Sequence, residues 1–238
     1  MRIDSPRRFG FHRPMRLILL FCALAATAFA AVAPKHAELA AALQTFGTEG
    51  PRGWSFTQTT AGEGHSRIER YDAARPDFER WTLLQEDGRA PTADELQDYR
   101  EKLSRRSRGG TAPRLADQLD LSTVEIVADT SDRTTYRCRL KPGEPCDLTA
   151  KFLAATLVLH KPTQTIESFA LAATEPFSPS FGVNIAEMKT TMTYSLPAGD
   201  RPSLLQKTTT CLRGRAFYFK SLDADLTVTF TDYERAHR

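Results

Sequence analysis

The sequence has little of what most enzymes and metal proteins are built from. Its 238 residues hold four cysteines and five histidines. The histidines beyond residue 30 are His36, His65, His160 and His237, too scattered for a His-x-His or His-x-x-x-His ligand set, and no cysteine stands at ligand spacing to them. Neither a Gly-x-Ser-x-Gly elbow nor a glycine-rich phosphate loop occurs, which argues against the familiar hydrolases and nucleotide-binding enzymes. The carboxylates Glu69, Asp72, Glu79 and Glu86 are interleaved with Arg67, Arg70 and Arg80, as charges on an exposed strand face are. No catalytic residue, metal or cofactor is therefore assigned, and a non-catalytic protein is expected.

Long apolar runs are also scarce, with one exception. Arg16 precedes the uncharged stretch Leu17-Ile18-Leu19-Leu20-Phe21-Cys22-Ala23-Leu24-Ala25-Ala26, and Ala28-Phe29-Ala30 then supplies the small-x-small pattern that signal peptidase accepts. The run is short for a membrane span. Residues 1–30 thus read as an N-terminal extension plus a cleavable signal, and residues 31–238 as a single mostly-β domain in the periplasm. Two starts are open, Met1 or Met15, and so are two export routes, because Arg7-Arg8 permits a twin-arginine signal as well as the general secretory one. No long linker or repeat divides the remainder.

Cleavage changes the charge. The whole chain carries 32 basic and 29 acidic residues. Arg2, Arg7, Arg8, Arg13, Arg16 and Asp4 leave with the leader, so 27 and 28 remain and the net charge becomes −1. Nucleic acid is not an expected partner. Three cysteines remain, and Cys138 and Cys146 bracket a Pro-Gly-containing turn that makes them the disulfide candidate.

Leu39, Leu43 and Phe46 give Pro34 to Phe46 a helical stripe. Asp87-Gly88 marks a turn, and Thr92 with Glu95 forms a capping box that starts a helix running to Arg108, with Leu96, Tyr99 and Leu103 on one stripe. A further helical turn is expected in Leu115 to Leu121. Elsewhere, alternating extended runs such as His65 to Tyr71, Phe78 to Leu84, Tyr136 to Leu140 and Ile166 to Leu171 predict roughly nine to eleven strands. In Val183 to Leu196 the apolar phase moves from Val183 and Ile185 to Met188, Met192 and Tyr194, which predicts a β-bulge near Ala186-Glu187. The fold class is α+β, a strongly curved antiparallel sheet forming an incomplete barrel covered by helices; a β-sandwich is the alternative.

Several strings carry a resemblance: Glu79-Arg80-Trp81-Thr82-Leu83-Leu84, Asp87-Gly88-Arg89-Ala90-Pro91-Thr92, Glu175-Pro176-Phe177-Ser178-Pro179-Ser180-Phe181-Gly182-Val183, and Phe219-Lys220-Ser221-Leu222-Asp223-Ala224-Asp225 with Asp232-Tyr233. They resemble a group of uncharacterised proteobacterial envelope proteins, and that group looks like the fold of the periplasmic lipoprotein carriers LolA and LolB. The resemblance implies an incomplete barrel around an apolar cavity; it transfers no functional residue.

Two features point to a ligand. Pro176 to Gly182 places Phe177 and Phe181 on a stiff loop, either packed under the barrel rim or gating a cavity lined by Met188, Met192, Phe217 and Phe219; core packing explains those four equally well. Arg100, Lys102, Arg105, Arg106, Arg108 and Arg114 gather around a helix end, where they complement its dipole or meet an anionic group. The leading expectation is a monomeric periplasmic binding protein for an acyl chain, lipid or lipidated peptide, with Arg100, Arg105, Arg106 and Arg108 near the anionic head and peripheral contact with an anionic membrane surface. The alternative is a structural adaptor that docks another cell-envelope protein.

Overall fold

The computed structural model describes residues 36–47, 53–106, 114–142, 149–217 and 219–236, with the side chains of Arg105 and Arg106 outside the description. Helix α1 (Ala37–Thr45) buries Leu39, Ala42 and Leu43, which share one face because helical neighbours three and four apart point the same way. Helix α2 (Ala93–Arg106) starts at its capping box: the Thr92 N–H donates to Glu95 and the Glu95 N–H donates to the Thr92 hydroxyl. Helix α3 (Leu115–Gln118) is a single turn.

The strands are β1 (Trp54–Gly62), β2 (His65–Tyr71), β3 (Trp81–Glu86), β4 (Leu119–Asp129), β5 (Arg133–Leu140), β6 (Leu153–His160), β7 (Thr165–Ala173), β8 (Phe177–Ser180), β9 (Val183–Tyr194), β10 (Leu205–Ala216), β11 (Lys220–Ser221) and β12 (Ala224–Arg235). They form one antiparallel sheet of twelve strands in the order β3-β2-β1-β12-β10-β9-β7-β6-β5-β4, with β8 added to β9 and β11 to β10. The count exceeds the sequence expectation because β8 and β11 are too short to announce themselves. Phe78 belongs to a 3-10 turn (Asp77–Glu79) after Pro76 rather than to β3. The bulge does fall in β9: Glu187 faces Arg213 and Ile185 faces Gly214, leaving Ala186 as the extra residue.

The sheet stays open, since β3 and β4 are its two edges. A sheet this wide must twist and curl, which gives a half-barrel-like surface. Residues directly opposite one another share a face. One such row runs Tyr136, Leu157, Phe169, Met192, Thr208, Val228, Thr60 and Arg67 across eight strands. At one end of it α1 packs on Tyr136, Leu157, Leu159, Ile166 and Phe169 to make the main core. At the other end α2 approaches the same face, where the Arg67 guanidinium lies over the Tyr99 ring. A second small core of Leu153, Phe177 and Ile185 closes the β8 end.

Candidate ligand groove

Beneath α1 this face is largely filled by side chains, apart from a cavity of about 330 Å³ beside Ala42, Phe46, Ile166 and Tyr194; beneath α2 more of it stands open. A cavity of about 510 Å³ lies between α2 and β3, lined on its apolar side by Phe78, Trp81, Leu83, Leu96, Tyr99 and Leu103, with Arg75, Asp77, Glu79 and Arg100 as its charged lining. It adjoins a second cavity of about 370 Å³ that shares Trp81 and Leu103, and this in turn adjoins a third of about 350 Å³ that shares Gln58 and Glu69. The three make an elongated groove along β1, β2 and β3, apolar at one end and polar at the other.

Local sequence explains why α2 leaves room. Its stripe is narrow, and of its residues Tyr99 alone among those with described side chains is buried. Charged residues fill the rest of the helix, so it cannot sink onto the sheet as α1 does. Its entry is nevertheless fixed: Arg89 grips Glu95 through two hydrogen bonds of 2.9 and 2.6 Å, and the Asp87-Gly88 turn before it has the positive φ angles, 51° and 77°, of a tight hairpin. Arg89 and the Thr92 N–H together hold the Glu95 carboxyl down at about 2.

At the polar end, Glu69 is only 6% exposed and accepts a hydrogen bond from Gln58 at 3.1 Å. Next to it Arg67 holds Glu86 through two bonds of 2.7 and 2.8 Å, and this pairing raises the guanidinium pKa. The carboxylates Glu69 and Glu86 with Arg67 thus form a compact polar floor on which a ligand's hydrogen-bonding head can be placed. Among the described residues no three His, Cys, Asp or Glu side chains gather as a metal site, and no helix is long and apolar enough to cross a membrane.

The residues singled out from sequence do not converge on one place. Phe177 is buried and stacked on Phe152, with ring centroids 5.3 Å apart. Phe181, Phe217 and Phe219 point into solvent. Met188 and Met192 lie on the helix-covered face and pack against the two cores. Arg100 borders the groove; the side chains of Arg105 and Arg106, and all of Arg108, lie outside the described residues. Cys138 is buried, which pushes its thiol up to about 11, and Cys146 lies outside the described residues. The groove residues Phe78, Trp81 and Leu83 went unread because each looks like ordinary strand core, and only the stand-off of α2 leaves them facing a cavity.

No protein-family model and no curated protein matches the chain. Among solved structures, an isomerase-inactive variant of GphF DH1 aligns at 13% identity over 85% of this chain and 81% of its own, with a TM-score of 0.18. A likeness that slight carries no argument about fold or activity.

Proposed function

We propose that the protein is a non-catalytic binding protein of the bacterial periplasm that holds an acyl chain, a lipid or a lipidated peptide in the groove beneath α2. The observation that carries the reading is the cavity of about 510 Å³ between α2 and β3, within the size range of small-molecule sites, with aromatic and leucine side chains making up half of its lining and charged or polar ones the rest. An acyl chain gains from leaving water roughly in proportion to the methylenes buried, and an elongated apolar groove suits its shape. Arg100 in the cavity lining and the Arg67, Glu69 and Gln58 floor offer two polar places for a head group. The signal-like stretch Met15 to Ala30 supports the compartment, and the open, curved antiparallel sheet, together with the sequence resemblance to the LolA and LolB fold, supports the class of ligand.

A fluorescent fatty acid such as cis-parinaric acid tests this. Saturable binding to the wild-type chain, lost on Leu103→Trp with the melting temperature preserved, is the expected result. Binding that ignores groove filling, or no binding of acyl probes at all, would refute it.

A further inference from the structure

At the same end of the sheet as the groove's polar floor, where the registers place Val183 and Ala216 along with Gly62, His65 and Glu86, two turns lie side by side. Val183 pairs with Ser180 on one side and with Ala216 on the other, and Ala216 pairs with Lys220. The turns β8–β9 and β10–β11 therefore share one tip. On it Phe181 is 96% exposed, Phe219 86% and Phe217 55%.

The Phe217 ring, between the two turns, is held in place. The Phe217 N–H donates to the Gly182 carbonyl at 2.6 Å, and the Phe217 ring sits so close to Gly182 that a Cβ there would meet it at 2.8 Å. Phe217 is itself in the left-handed region, at φ 48°. Behind the turn, the Leu222 N–H donates to the Gly214 carbonyl and the Gly214 N–H donates to Asp223. Three phenylalanines gathered on one exposed tip, with Phe217 braced among them, mark an interaction surface.

The charges behind the rings say what covers them. Lys220 stands on the first rung of the β10–β11 pair and Arg215 on the second, so the cations begin about 3.4 Å per residue behind the tip. Both are exposed, and among the described residues neither has an ion-pair partner. The neighbouring acids are engaged: Asp225 by Arg213 at 2.6 Å and Asp223 by the Gly214 amide. Glu187 lies further back, opposite Arg213.

We propose that this tip docks the protein on a bilayer surface bearing anionic lipids, with Phe181, Phe217 and Phe219 entering the interface and Lys220 and Arg215 meeting phosphates at head-group level. A protruding tip with its cations in a layer behind the rings fits a medium that is apolar at depth and anionic above it. A protein partner would instead have to offer a pocket shaped for three rings. The docking does not depend on acyl binding in the groove.

The test places Phe181→Trp in the full chain and reads the emission that this substitution adds. With vesicles of phosphatidylglycerol and phosphatidylethanolamine, a blue shift and quenching by brominated acyl chains are expected; with phosphatidylcholine alone, much less of both. Adding Arg215→Glu and Lys220→Glu should weaken partitioning by about tenfold or more. The added tryptophan reports the tip itself, so an apolar segment elsewhere in the chain does not mimic insertion. Emission unmoved by anionic vesicles, partitioning indifferent to the charge reversal, or a tip that crosslinks to an envelope protein without any lipid response would each overturn the proposal. Binding of cis-parinaric acid should survive the charge reversal, so failure of docking and failure of the groove are separately visible.

Discussion

The Thr92 N–H donates to Glu95 Oε2 at 2.7 Å while the Glu95 N–H donates to Thr92 Oγ1 at 3.3 Å, so each residue satisfies a backbone donor that the start of α2 would otherwise leave open. The same carboxylate is gripped by Arg89, which ties the helix entry to the β3 hairpin. Since α2 forms the roof of the groove, this small network fixes where the groove opens.

Its pH dependence follows. Folding lowers the Glu95 pKa from 4.5 to about 2, chiefly through Arg89 and then the Thr92 amide. A depressed carboxyl contributes fully above its unfolded value and ceases to contribute as the pH falls through its folded value. Wild type and Glu95→Gln should therefore differ in melting temperature above pH 4.5, and the difference should shrink toward about pH 2. A gap that stays constant across that window would show that Glu95 acts otherwise.

The two phenylalanines of the β8 region should behave in opposite ways. Phe177 is buried against Phe152, so Phe177→Ala should cost about 3–5 kcal/mol of stability in urea unfolding. Phe181 touches little, and Phe181→Ala should stay within about 0.5 kcal/mol of wild type. Equal effects from the two substitutions would contradict these placements.

Sequence periodicity reached the local elements here and stopped short of the site. The capping box, the Asp87-Gly88 turn, the α1 stripe and the β9 bulge are each written in a few adjacent residues, so they can be read directly. Phe177 and Phe181 are four residues apart with identical side chains, yet one is core and the other is solvent-exposed. That difference depends on Phe152 from another part of the chain. The groove is less legible still, because Trp81, Leu83 and Leu103 line it only as a result of how far α2 stands from β3.

The Arg67–Glu86 pair should prove worth more than an ordinary surface ion pair. Both side chains are largely shielded and the two bonds are parallel, so less is lost to water and salt. A double-mutant cycle with Arg67→Met and Glu86→Gln should give a coupling of about 1 kcal/mol, only weakly reduced by added salt. Coupling near zero would mark the pair as incidental to the groove floor.

Gly62 closes β1 where the N-terminal meander joins β12, facing Leu226 across the pair. An added Cβ would meet the Asp225 carbonyl oxygen at 2.5 Å, and a backbone atom held in a sheet cannot step aside as a flexible side chain does. Gly62→Ala should therefore cost about 1–3 kcal/mol and loosen the β1–β12 joint first. Gly64, two residues on, offers the control: open space surrounds it, but its φ of +81° is one that alanine adopts at a cost. Gly64→Ala should cost about 1 kcal/mol and leave the joint intact. Amide exchange across β1 and β12 separates the two, because a steric wedge at Gly62 should speed exchange of the paired strands whereas turn strain at Gly64 should not. Matching exchange patterns in the two variants would remove the steric explanation.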